Sequence, residues 1–377
     1  MTTNTAKNVL YIGEYNENYP RNYMFINSLK QNQVNIHEIN LNRMNKRKRI
    51  KVLLSNFKKL KNIDFDVLIF FSIKTSPINF ILARIFAYSR RIPFIYDIFI
   101  SKHLTYYYDR ELSIVKKKIK FKPYYWIYYF LLDFFECHFS SYIVLDTFSN
   151  IRYFQKKYNI PLRKFKRILV GARDDIYFPL DIKKENNDIF IVGYWGTFIP
   201  LHGVEYIIKA FELLKNETDI YLSLIGKGLT YEANKKLAER LKIKNLEFVP
   251  KVFVSSKKLN KLPEFIAKFD LGLGLFGLGE KTLLSIPNKV FEGMAMKIPM
   301  ITCKSPAISE LLTENENIIL CERANPKSLA EAILVLKNDE SLRNEIQENA
   351  YSLYRKHCTT EKIGKSLTKI LNDIIRR

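Results

Sequence analysis

With 377 residues the chain exceeds the roughly 250 to 300 residues at which a single hydrophobic core stops growing, so two domains are expected. Its 61 Lys and Arg against 38 Asp and Glu leave a net charge of +23, yet no helix-turn-helix, zinc-finger or RNA-recognition pattern accompanies it, and nucleic acid is not expected as a partner. The four cysteines, Cys137, Cys303, Cys321 and Cys358, form no CxxC pair, which argues against structural zinc and for a reducing, cytoplasmic setting.

A short polar lead runs into the first apolar segment, Val9 to Ile12, and does not read as a signal peptide. Further β-branched and aromatic runs predict strands at Val34 to Ile39, Val67 to Phe71, Phe94 to Tyr96, Ile143 to Leu145 and Ile168 to Val170. Helical patterns fall between them, as at Arg21 to Lys30 and Ile78 to Tyr88. Asp64-Phe65-Asp66 is the one D-x-D match; it reads as the start of the buried strand at Val67 rather than as a cation site. Lysines 116, 117, 118, 120 and 122 precede the aromatic run Tyr124 to Phe130, a combination that suits an anionic membrane edge; a helix packed into the first core explains the aromatics equally well. The most apolar run, Tyr124 to Phe135, is broken by Asp133 and is shorter than the ~20 residues that span a bilayer.

The polar stretch 181–188 reads as a linker. Beyond it strands are predicted at Ile189 to Val192, Tyr221 to Ile225, Leu246 to Val249, Leu271 to Leu275, Met300 to Thr302 and Ile318 to Leu320, with helices at Val204 to Leu214, Glu232 to Leu241 and Leu259 to Lys268. Strands alternating with helices define an α/β chain, and two tandem Rossmann-like doubly wound domains facing a cleft are the simplest arrangement. The boundaries drawn are 1–180, 188–350 and a final helix at 351–377.

Three segments of the second half carry phosphate-type chemistry. Gly196, Thr197, His202 and Gly203 lie in a glycine-rich loop between a strand and the helix at Val204, where backbone can approach a diphosphate and His202 can donate to it; a tight strand-to-helix turn accounts for the glycines alone. The run from Phe269 to Lys281 places glycines in a strand and ends on Glu280 and Lys281. In Ser285 to Pro299, Pro287 stops a preceding helix, Asn288 is a favoured N-cap, Lys289 adds an ammonium to the positive end of a helix, and Glu292 lies one turn on, where a carboxylate can accept from ribose hydroxyls. All three sit at carboxyl ends of strands, where open α/β sheets bind ligands.

These residues, Gly196 to Gly203 and Ile286 to Glu292 with Ala295, Met296 and Pro299, together with Tyr19-Pro20-Arg21-Asn22 and Asp146-Thr147, resemble those of bacterial family 4 glycosyltransferases of the GT-B fold. The resemblance extends from about Val9 to Leu336. It implies a retaining transfer of a hexose-type sugar from a nucleotide-sugar donor, held by the C-terminal domain, to a glycan or lipid-linked acceptor in cell-surface polysaccharide synthesis. It also implies that the last helix crosses back to the first domain. The family's Glu-x7-Glu motif departs here, because Leu284 stands at the first position; Glu292 carries over as the ribose contact, and Glu280 is the nearest substitute for the sugar contact. Thr197 and His202 stand near the family's diphosphate Arg and Lys, which leaves Lys289 and Lys281 to neutralise the leaving group.

No metal or other cofactor is expected, since amides, a helix dipole and an ammonium can stabilise the departing diphosphate. No carboxylate pair for double displacement is evident, which favours a front-face reaction in which the leaving phosphate helps deprotonate the acceptor. Arg21 and Asn22 are candidate acceptor contacts, as are Ser101 and His103, and Asp97 is the candidate group for orienting the acceptor hydroxyl. A GT-B-like nucleotide-sugar epimerase and a non-enzymatic basic membrane adaptor are the rival readings. The expected location is the cytoplasm, including the inner face of the cell membrane.

Overall fold

The computed structural model describes residues 8–72, 77–106, 123–182, 188–250 and 261–376. These divide into two compact units, Met1–Val170 with Thr360–Arg377, and Gly171–Thr359. The lysines of 116–122 and linker positions 183–187 lie outside the described residues.

The first unit is built on a six-stranded sheet: β1 (Asn8–Glu14), β2 (Asn35–Asn40), β3 (Val67–Ser72), β4 (Phe94–Asp97), β5 (Tyr142–Leu145) and β6 (Phe165–Arg167), in the order β2-β1-β3-β4-β5-β6. Every pairing is parallel, with Val9 opposite Ile36 and Val67. Apolar residues on successive positions of β1 and β3 are wholly buried, as befits strands covered on both faces. The edge strand differs from the sequence expectation. Ile168 and Val170 are buried but lie past the strand, whereas Phe165–Arg167 pairs with β5. An edge strand tolerates charged residues, so hydrophobicity alone misplaces it. Asp66 accepts the Asn8 N–H at 2.8 Å at the foot of β3, and Asp64 pairs with Arg90 at 3.4 Å.

The helices named below are α1 (Pro20–Gln31), α2 (Lys46–Lys59), α3 (Pro77–Ser89), α4 (Pro123–Phe139) and α5 (Phe148–Tyr158). The helix Thr360–Ile375 belongs to this unit. Its Gly364 is close-packed on α1, where a Cβ would lie 2.5 Å from the Ser28 carbonyl oxygen, and the Thr360 hydroxyl meets Met24 Sδ at 3.6 Å.

The second unit repeats the plan with β7 (Phe190–Trp195), β8 (Ile220–Ile225), β9 (Leu246–Val249), β10 (Leu271–Leu273), β11 (Met300–Cys303) and β12 (Ile319–Cys321), ordered β12-β11-β10-β7-β8-β9 and parallel throughout. Strand order reverses between β7 and β10, the switch point at which doubly wound sheets open a ligand crevice at their carboxyl ends. The core packs Val192, Tyr194, Leu222 and Leu273 of one sheet face against Ile207, Phe211 and Ile333 of the helices that cover it. Among the described residues no helix is long and apolar enough to cross a membrane.

Candidate active site

Two glycine loops of the second unit meet above the switch point. Gly203, at φ +64° after the turn Pro200–His202, lies so close to the strand exit of β10 that a Cβ would come 2.6 Å from the Gly277 nitrogen. The His202 carbonyl accepts the Phe276 N–H at 3.2 Å, which ties the loops together. Only glycine fits the left-handed conformation and this approach together.

The helix Asn288–Ala295 begins directly after Pro287. Asn288 is therefore its first residue and not the N-cap, and no side chain caps this end: the extended conformation of Pro287, φ −68° and ψ 142°, already makes the turn. One residue on, Lys289 is 5% exposed. Its Nζ lies 3.7 Å from the centroid of the Tyr194 ring on β7 and 3.4 Å from the Gly274 carbonyl oxygen after β10, so it bridges the strands that flank the switch point. Burial pushes the ammonium pKa well below its usual value, and the Glu292 carboxylate opposes this. A buried ammonium held by one ring face and one long carbonyl contact is poised for an anion.

Gly196 marks where that anion can sit. Its φ is +147°, and a Cβ added there would lie 3.3 Å from Lys289 Nζ and 3.5 Å from His202 Cε1. The space above this glycine is thus faced by both side chains. His202 Nδ1 lies 2.6 Å from the Tyr194 hydroxyl, which lies 3.1 Å from the Thr197 carbonyl oxygen. Burial and the neighbouring Lys289 hold the imidazole well below its ordinary pKa. Glu292 accepts the Trp195 indole N–H at 2.6 Å; burial raises its carboxyl pKa, opposed by that hydrogen bond and by Lys289. Sequence reading singled out neither Tyr194 nor Trp195, although both end a strand just before the glycine loop.

The other nominees of this unit are more peripheral. Thr197 is exposed and contributes its carbonyl. Glu280 and Lys281 lie on the turn Glu280–Leu283; Glu280 is exposed, and Lys281 is half-buried and repels a proton on His202.

The first-unit nominees are gathered at the ends of β1 and β4 but committed to internal partners. Arg21 and Asp97 are both 0% exposed and form an ion pair at 3.0 Å, and Arg21 Nη1 also donates to the Ile168 carbonyl at 2.7 Å. Burial raises the Asp97 carboxyl pKa while Arg21 opposes it. Asn22 is buried too, accepting from the Tyr11 hydroxyl at 3.1 Å and donating to the Asn16 carbonyl at 3.2 Å. Ser101 donates to Asp133 at 2.7 Å, and the His103 N–H donates to the same carboxylate at 3.1 Å. The His103 ring, 4% exposed, packs edge-on to Trp126 and Phe130, and among the described residues neither ring nitrogen has a hydrogen-bond partner. Arg21, Asp97, Asn22 and Ser101 are thus each buried and paired with partners in the interior of the unit.

Residues 189–339 match the family described as "Glycosyl transferases group 1". The chain is 26% identical over 207 residues to N-acetyl-alpha-D-glucosaminyl L-malate synthase of Bacillus anthracis, covering 53% of this chain and 51% of that one. It is 24% identical over 194 residues to a capsular polysaccharide biosynthesis glycosyltransferase of Staphylococcus aureus, covering 50% and 48%. The chain spans about half the length of the curated relatives it matches. In fold it is similar to Anabaena HepE, solved in complex with UDP and glucose, with a TM-score of 0.69 at 13% identity over 97% of this chain and all of that one. The sucrose-phosphate synthase of Thermosynechococcus elongatus gives the same TM-score at 11% identity over 98% and 99%. The two-domain α/β architecture is that of GT-B structures, and the family match falls within the second unit.

Proposed function

We propose that the chain transfers a sugar from a nucleotide-sugar donor to a glycan or lipid-linked acceptor, with retention and without a metal. The observation that carries this reading is the convergence of Lys289 and His202 over Gly196 at the switch point of the second sheet. Glycosyl transfer builds negative charge on the departing diphosphate, and a fixed, partly dehydrated cation stabilises that charge more in the transition state than in the ground state. Glu292, held by Trp195, is the proposed ribose contact, Asn288 supplies an amide at the helix start, and Lys281 adds charge at the rim. The UDP complex of the fold-related HepE makes UDP the first nucleotide to try. The test is a thermal-shift panel of nucleoside diphosphates and nucleotide sugars, since a ligand at ~100 times its Kd stabilises by about 2.7 kcal/mol. Absence of any shift, or a hit that does not lose its sugar to acceptor or water, refutes the proposal.

We also propose that the first unit docks on an anionic membrane, where a lipid-linked acceptor is found. Helix α3 exposes Ile81 and Ile85, and α4 exposes Leu131, Phe135 and Phe139. Arg84 of α3 donates to the Phe139 carbonyl at 2.7 Å, so the two helices lie side by side. The two carboxylates of α4, Asp133 and Glu136, are both buried, which leaves its outer surface without negative charge. Co-sedimentation with phosphatidylglycerol vesicles, lost in Ile85→Asp/Phe135→Asp, supports this; equal recovery of the variant argues against it.

A further inference from the structure

The Tyr194 hydroxyl carries one proton and has two close neighbours, His202 Nδ1 at 2.6 Å and the Thr197 carbonyl oxygen at 3.1 Å. The carbonyl can only accept; it also takes the Ile199 N–H at 2.9 Å, which leaves a lone pair for the phenol. Both short contacts become hydrogen bonds when Tyr194 donates to Thr197 and His202 donates to Tyr194. The imidazole proton then resides on Nδ1, and in the neutral ring Nε2 is a bare lone pair. Cε1, the carbon between the two ring nitrogens, faces the space above Gly196, and a hydrogen bond to the Thr197 backbone also favours a proton on the ring.

A bare lone pair repels a phosphate oxygen. Donation from Nε2 needs either a flip of the tautomer, which sacrifices one of the two phenol contacts, or a second proton on the ring, which keeps both. The charged groups acting on the imidazole are Lys289 from the helix at 288–295 and Lys281 from the turn at 280–283; both disfavour that proton when no anion is present. Glu205, in the first turn of the helix after the loop, acts on the Tyr194 hydroxyl. A diphosphate beside Lys289 would reverse the balance, because its charge outweighs the two ammonium groups that repel the imidazolium.

We infer that His202 binds the diphosphate as an imidazolium, taking a proton from solvent at Nε2 as the anion enters, and that Tyr194 is the positioning residue that confines this protonation to Nε2. The inference rests on the nucleotide-sugar reading of this site and adds to it a linkage: nucleotide binding and proton uptake are one event.

Calorimetric titration with UDP, GDP and ADP in HEPES and in Tris at about pH 8, where a terminal phosphate of pKa about 6 is already ionised, reads the number of protons taken up from the dependence of heat on buffer. The wild-type protein should take up close to one proton per bound nucleotide. His202→Gln should bind severalfold more weakly and lose that uptake. Tyr194→Phe keeps the ring under Lys289 but frees Nδ1, so the neutral ring can turn its N–H toward the phosphate; it should bind with uptake reduced toward zero. A merely structural phenol would not change the proton count. Wild-type binding without uptake, or uptake that His202→Gln leaves intact, overturns this inference while the transferase reading stands. Failure of every nucleotide to bind overturns both.

Discussion

The indole N–H of Trp195, the last residue of β7, donates to a carboxylate oxygen of Glu292 at 2.6 Å. A strand end thereby aims an acidic side chain that projects from a helix nearly a hundred positions later. The Trp195 ring is itself fixed by stacking on Phe269 at 6.1 Å. Trp195→Phe keeps the stack and removes the donor. Hydrogen bonds to charged groups contribute about 1.5–3 kcal/mol, so nucleotide affinity should fall roughly tenfold or more if Glu292 holds the ribose. Unchanged affinity in a UDP titration places the ribose elsewhere.

Lys289→Met retains a long stem in the buried slot and removes the charge. Turnover of the nucleotide sugar should drop about 100- to 1,000-fold, as when one preorganised transition-state donor is lost. Thermal stability should hold or rise, because a dehydrated ammonium with weak partners is removed. A parallel loss of melting temperature would mark Lys289 as a structural residue instead.

Gly196→Ala introduces a Cβ 3.3 Å from Lys289 Nζ, at a φ of +147° that side chains rarely adopt. Affinity for nucleotide should fall further than the ~1 kcal/mol that backbone strain removes from stability. Comparing the UDP titration with urea unfolding separates the two effects.

In the first unit, Arg21→Met leaves the Asp97 carboxylate wholly buried and unpaired. Breaking such a pair typically costs about 3–5 kcal/mol, whereas Arg21→Met/Asp97→Leu should recover much of it. Urea unfolding of the two variants tests the structural role; equal stability of Arg21→Met and wild type would return Arg21 to the acceptor side.

Asp133 has its carboxyl pKa raised to about 6, chiefly by burial, against about 3.9 in an unfolded chain. The folded state therefore binds the extra proton between these values. Its contribution to stability is greatest below about pH 4, declines as pH rises to about 6 and is flat above, a total of roughly 3 kcal/mol. Asp133→Asn should flatten this part of the pH profile in chemical denaturation, although it weakens the acceptor for Ser101, His103 and Tyr158. A profile identical to wild type would show that Asp133 does not titrate there.

The parallel α/β architecture was legible because buried strands carry continuous runs such as Val67 to Phe71, and both glycine loops were legible because close backbone approach excludes side chains. The edge strand at Phe165–Arg167 was not, since half its surroundings are water and its composition is free to be basic. Trp195 and Tyr194 were hidden for a different reason: on a strand they read as ordinary core aromatics, and only the placement of Glu292, Lys289 and His202 around them turns their polar atoms and ring faces into parts of a site.

By itself, then, the order of residues determined which segments are strands and helices and which loops can approach a phosphate, because those depend on local periodicity and on side-chain size. Partnership was decided only by tertiary structure. Whether a charged group such as Arg21 is consumed by Asp97 or one such as Lys289 is buried against a ring face and one long carbonyl contact depends on which distant strand ends converge, and on how much water their packing removes.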